Sequence, residues 1–176
     1  RAQRNSTAKA MTDEIKRLCG IIRQTAYEIH VFHGSGHLEK VYENALAHRL
    51  RKAGLRVIQQ HPLKVFDEDG TGIGEYFADL FVEDRIIVEL KAVRAVAGEH
   101  IAQTIGYLKS SRIEHGILIN FGSHRFWIRK YALSARESDA ARAYRDRLVK
   151  PARSDLTPSG GSRAFQEVAE SSVGNE

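Results

Sequence analysis

At 176 residues the chain is long enough for one domain of ordinary size with its own core, plus extensions. Hydrophobic residues make up 42%, which excludes a wholly disordered chain, and 27 Lys and Arg against 22 Asp and Glu leave a net charge of +5 and a pI near 9.4. That excess is compatible with a polyanionic partner without demanding one.

The single cysteine, Cys19, rules out an internal disulfide and offers no thiolate cluster for zinc. No apolar run approaches the roughly 18 residues of a membrane span, and no charged-then-apolar leader opens the chain, so a cytoplasmic protein with no membrane association is expected. The only methionine is Met11, and residues 1–11 read as a flexible N-terminal extension.

Thr12 is a plausible N-cap, followed by Asp13 and Glu14 where a helix dipole favours acidic groups. Ile15, Leu18, Ile22, Ala26 and Ile29 recur at three- and four-residue steps, which predicts an amphipathic helix to about Val31. His30, His33 and His37 lack the further ligand a zinc site needs. Gly34-Ser35-Gly36 breaks the chain. A second helix then carries the stripe Leu38, Val41, Tyr42, Ala45, Leu46, Leu50 and Ala53, up to Gly54. Glu39 borders the stripe in the first turn, where a glutamate also simply answers the helix dipole.

Arg56 to Phe66 reads as a strand in which Pro62 argues for an edge or a bulge, and Asp67-Glu68-Asp69-Gly70 as a turn. Beyond Lys91 a short Ala- and Val-rich loop leads to a helix over Glu99 to Ser111, with Ile101, Ile105 and Leu108 as its core stripe. Gln103 and Tyr107, four apart, share a face away from that stripe. Gly116 to Phe121 reads as a buried strand and His124 to Ile128 as a further one. Ala135 to Val149 reads as a basic helix, and Pro151 onward as a disordered tail.

The stretch of most chemical interest is Phe77 to Lys91. It reads as two strands reversing at Glu83, Asp84 and Arg85. Ile86, Ile87 and Val88 are apolar at both parities, so the second strand is covered on both faces. Glu89 and Lys91 share one face, Val88 and Leu90 the other. A three-residue connection would pair Val82 with Ile86 and bring Asp79 opposite Glu89. A two-residue connection would pair Asp79 with Leu90 and separate the carboxylates. Three-residue loops usually need a positive φ, and no glycine is present here.

Two carboxylates facing each other across strands repel, so positive charge belongs between them. Lys91 supplies part of it, and Mg²⁺ or Mn²⁺ would supply the rest. Such a cation polarises a phosphoryl oxygen and acidifies a bound water, while a neighbouring lysine orients or deprotonates that water. This is the chemistry of phosphodiester hydrolysis. An isolated Glu-x-Lys is common, and Glu14-Ile15-Lys16 is another, on a helix surface.

The order of elements and polar residues resembles the PD-(D/E)XK nuclease superfamily. Gly36-His37-Leu38-Glu39-Lys40-Val41-Tyr42 resembles the motif that names its GxxExxY family. Glu43-Asn44-Ala45-Leu46, Val88-Glu89-Leu90-Lys91-Ala92-Val93, Gln103 to Tyr107 with Leu108-Lys109, and Ile119-Asn120-Phe121-Gly122 are also similar, over about Thr12 to Lys130. The resemblance implies an α/β (α+β) fold with a restriction-endonuclease-like αβββαβ core, a mixed central sheet flanked by helices. It also implies Asp79 and Glu89 as metal ligands assisted by Glu39, and Lys91 as the residue that positions or activates the attacking water. Gln103 and Tyr107 match a Q-x-x-x-Y element that helps arrange the active site and nucleic acid. The proline that precedes the aspartate in the superfamily is Ala78 here.

The expected activity is metal-dependent hydrolysis of nucleic acid, DNA above all. The alternative is a non-catalytic nucleic-acid-binding or assembly module on the same fold. Residues 12–133 are the expected nuclease-like domain, with a basic C-terminal helix over 134–150 and the tail over 151–176.

Overall fold

The computed structural model describes residues 2–134. The basic helix read over Ala135 to Val149 and the tail from Pro151 lie outside the described residues.

The first helix, α1 (Ala2–His33), begins well ahead of Thr12, so Thr12 is an interior helical residue rather than an N-cap. Ala2 to Ala10 contains no Pro or Gly and is rich in Ala, Arg, Gln and Lys, which cost little in a helix. Ile15, Leu18, Ile22, Ala26 and Ile29 are buried as the periodicity requires. Gly34 ends the helix with φ 66°.

In α2 (Glu39–Lys52) the buried face is Tyr42, Glu43, Leu46, Ala47 and Leu50. Leu38 is 78% exposed and Val41 also lies open. The expected stripe is therefore rotated. Tyr42, Leu46 and Leu50 at four-residue steps set the contact line, and Leu38 sits at the N-cap, outside the helix proper.

Five strands follow: β1 (Val57–Phe66), β2 (Gly72–Val82), β3 (Ile86–Lys91), β4 (His115–Asn120) and β5 (Trp127–Ala132). They form one sheet in the order β1-β2-β3-β4-β5, with β3 and β4 parallel and the other neighbours antiparallel. β1 is an edge, which is where Pro62 can sit without breaking a ladder. The parallel pair is joined through α3 (Gly98–Ser111), as a parallel connection requires. The last strand lies later than His124 to Ile128, because Gly122 and Ser123 belong to the turn and pairing with β4 starts at Asn120 and Trp127.

Helices α1 and α2 cover one face of the sheet over a large apolar cluster that includes Leu80, Val82, Val88 and Leu90. Helix α3 covers the other over a smaller cluster of Leu63, Ala78, Phe81, Ile87, Tyr107, Leu108 and Leu133. The result is a mixed five-stranded sheet with flanking helices, an α+β fold. Ile101 and Ile105 are only half-buried, and Thr104, Tyr107 and Leu108 form the buried face of α3 instead. Tyr107 therefore belongs to the core face rather than away from it. Its ring packs at 5.3 Å on that of Tyr76, an aromatic contact that sequence periodicity does not register. Among the described residues no helix is long and apolar enough to cross a membrane.

Candidate active site

The β2–β3 reversal has the three-residue connection. Val82 pairs with Ile86, Phe81 with Ile87 and Leu80 with Val88. The positive φ is supplied by Glu83 (52°) and Asp84 (51°) in place of glycine. Arg56 holds them there: its N–H donates to Glu83 Oε1, and its guanidinium pairs with Asp84.

The ladder stops at Leu80, and Asp79 is not simply opposed to Glu89. Ala78 and Phe81 pack on the α3 side while Leu80 and Val82 pack on the α1–α2 side, so β2 rotates between Ala78 and Leu80. On β1 the partners flank the same point, Gln59 with Leu80 and His61 with Ala78, and the residue between them, Gln60, has φ 51°. The rotation turns the Asp79 carboxylate toward β3, where Oδ2 accepts a 2.8 Å hydrogen bond from the Leu90 N–H.

On β3, Val88 and Leu90 join the α1–α2 cluster and Ile87 the α3 cluster, so Glu89 and Lys91 belong to the α3 side. Lys91 Nζ lies 2.7 Å from Glu89 Oε1 and 4.0 Å from Glu39 Oε1. Glu39, in the first turn of α2, accepts a 3.2 Å hydrogen bond from the Ala92 N–H. Glu89 is 3% exposed, and its Oε2 is buried without a hydrogen-bond partner among the described residues. Gln103 Nε2 donates to Tyr107 Oη at 2.9 Å on α3.

The electrostatics follow from this packing. Burial, then the negative charge of Asp79, pushes Glu89 up to about 7. Burial likewise raises Asp79, against the hydrogen bond from Leu90 and the charge of Lys91. Burial alone would lower Lys91, but its hydrogen bond and charge interaction with Glu89, together with Glu39 and Asp79, raise it, so it is an ammonium at neutral pH. Tyr107 is raised by burial and by Glu89. All six residues singled out in the sequence thus occupy one region. Among the described residues, however, no three His, Cys, Asp or Glu side chains converge into a ready-made metal cage.

The chain just beyond Lys91 is fixed by β4. Asn120 Oδ1 accepts from the N–H groups of Val93 and Gly122, both at 3.1 Å, and Asn120 Nδ2 donates to the Val93 carbonyl at 2.8 Å. The Phe121 N–H donates to the Lys91 carbonyl at 2.7 Å. Phe121 stacks on Tyr42 with centroids 4.6 Å apart, and Tyr42 Oη donates to the Gly34 carbonyl at 2.8 Å. The loop that delivers Glu39 and the loop that follows Lys91 therefore share one aromatic pair as their floor.

Residues to which the sequence reading gave no site role complete the surroundings. Glu43 is 3% exposed, and Lys40, Gln59 and Gln60 all donate to its carboxylate. The sequence signal was present but weak: Gln59, Gln60 and His61 are polar at both parities within an otherwise apolar-punctuated strand.

A family model for the PD-(D/E)XK nuclease superfamily matches residues 16–130, a span that contains every residue of this cluster. Among curated proteins none matches the chain significantly. Among solved structures, the crystal structure of SSO0001 is similar at 18% identity and a TM-score of 0.46. The match covers 67% of this chain and 61% of that one, less than two thirds of its length.

Proposed function

Because this chain belongs to the PD-(D/E)XK nuclease superfamily, we propose that it hydrolyses phosphodiester bonds of nucleic acid, DNA in the first instance, with Mg²⁺ or Mn²⁺ held by Asp79 and Glu89 and assisted by Glu39. The observation that carries this reading is the buried Oε2 of Glu89, without a hydrogen-bond partner among the described residues and under the influence of the Asp79 charge. Two desolvated carboxylates, both raised by burial and Glu89 raised further by the charge of Asp79, one with an oxygen to spare, form a hard-oxygen site suited to such a cation. When bound, the cation supplies Lewis acidity and acidifies a coordinated water.

The protein's own groups do the rest. Lys91, held as an ammonium by Glu89 at 2.7 Å, donates to the attacking water or to the developing charge on phosphate. In this protonation state it orients rather than deprotonates. The Leu90 and Ala92 N–H groups fix the rotamers of Asp79 and Glu39. Gln103 fixes the hydroxyl of Tyr107 on α3, close enough to feel the charges of Glu89, Lys91 and Asp79.

The test is incubation of plasmid and linear DNA with Mg²⁺, with Mn²⁺ and with EDTA, comparing wild type and Lys91→Ala. Cleavage should require metal and fall by about 100-fold or more in the variant. Equal cleavage by the two would end the proposal. A second reading, a non-catalytic nucleic-acid-binding module, draws on the lack of three convergent ligand groups among the described residues. Salt-dependent DNA binding that survives Asp79→Ala, with no cleavage, would select it.

A further inference from the structure

We infer that Gln60 is a positioning residue that aims the Asp79 carboxylate at the metal site, an inference that rests on the nuclease reading above. Three observations meet at this residue. Gln60 occupies the left-handed region at φ 51°, a conformation that non-glycine residues hold only where surrounding structure imposes it. It stands across from Asp79 at the point where β2 rotates, with regular pairing on both sides, Gln59 to Leu80 and His61 to Ala78. Its side-chain amide bridges two acids: Nε2 is 3.0 Å from Glu43 Oε2 and 3.4 Å from Asp79 Oδ1.

Glu43 is a suitable anchor because it is itself immobilised. Lys40 Nζ lies 2.6 Å from its Oε1, and Gln59 Nε2 donates to the same oxygen at 2.9 Å. The orientation of the Gln59 amide is set in turn by Arg51, which donates to Gln59 Oε1 at 3.0 Å. The brace thus runs from α2 through β1 to Asp79. It holds Oδ1 while the Leu90 N–H holds Oδ2. With both oxygens fixed, the carboxylate is presented in one orientation, the pre-organisation that outer groups give metal ligands.

If the strained backbone serves this amide, relieving the strain should separate stability from metal binding. Gln60→Gly adopts positive φ freely, and Gln60→Asn tolerates it but is too short to span both acids. Relief of the strained φ offsets the donor lost to Glu43, so both variants should still unfold cooperatively, with melting temperatures close to the wild type. Their Mn²⁺ dissociation constants, measured by calorimetry without nucleic acid, should rise about 10-fold or more. Gln60→Glu, of the same length but without the donors, should lose at least as much affinity.

Wild-type affinity in the Gly and Asn variants would overturn the inference and leave the nuclease reading standing. Loss of cooperative unfolding together with the affinity would mark a structural bulge and overturn it equally. Wild-type protein that takes up no Mn²⁺ would remove both this inference and the metal-dependent reading beneath it.

Discussion

On β3 the Lys91 ammonium lies 2.7 Å from Glu89 Oε1, and the other oxygen of the same carboxylate is buried with no hydrogen-bond partner among the described residues. A lysine that close would ordinarily hold a carboxyl below its usual range. Here burial and Asp79 outweigh it, and Glu89 stands at about 7.

The pH dependence of the metal-free protein follows. Glu89 binds its proton more tightly folded, at about 7, than unfolded, at 4.5, so between these values the native state holds more protons. Its contribution is fully present below about pH 4.5 and is lost as pH rises through 7, on the order of 3 kcal/mol as a ceiling. Asp79, also raised, acts in the same direction. Denaturant titrations in EDTA should show stability falling across this window, and Glu89→Gln should flatten most of the slope. Identical slopes in both proteins would contradict the assignment.

Gly122 tolerates no side chain. A Cβ there would lie 2.3 Å from Val93 N, 2.4 Å from the Ala92 carbonyl carbon and 2.5 Å from the Val93 oxygen, all backbone atoms that cannot swing aside. Gly122→Ala must push apart the two loops that Asn120 clamps, at a cost of about 1 to 3 kcal/mol by chemical denaturation. Because the neighbouring Phe121 N–H is bonded to the Lys91 carbonyl, cleavage should fall as well. An unchanged unfolding midpoint would show that the close approach is not maintained in solution.

Tyr42→Phe keeps the stack on Phe121 and removes only the hydroxyl, which donates to the Gly34 carbonyl and accepts the His37 N–H at 3.2 Å. The expected loss is about 1 kcal/mol, with an unchanged denaturant slope. Tyr42→Ala, which also removes a fully buried ring, should cost about 3 to 5 kcal/mol. Equal losses for the two would mean that the ring contributes nothing beyond the hydroxyl.

How far the sequence reached can be judged at particular residues. Ile15 to Ile29 specify α1's buried face because four-residue recurrence and helix geometry coincide, and the helix packs its whole stripe on one surface. The same reasoning misplaced the contact lines of α2 and α3. In α3 a buried tyrosine and threonine displace Ile101 and Ile105 from the centre, and in α2 a buried glutamate sits beside leucines. Hydropathy treats Tyr107 and Glu43 as surface residues, yet each is buried against partners contributed by other segments. For Glu43 these are Gln59 and Gln60 of β1, and for Tyr107 they include Tyr76 of β2.

What the chain determined by itself is the set of relations that depend on local geometry. These are the succession of helices and strands, the shared face of Glu89 and Lys91 two positions apart, and the breaks at Gly34 and Gly54. They follow from the periods of helix and strand and from glycine's access to positive φ. What only the tertiary structure decided is the direction of Asp79. Its carboxylate accepts from the Leu90 N–H on one oxygen and from Gln60 on the other, and Gln60 itself is left-handed, a conformation with no local signature in a glutamine. Those forces come from other segments of the chain and act only once helix, edge strand and central strand have been brought together.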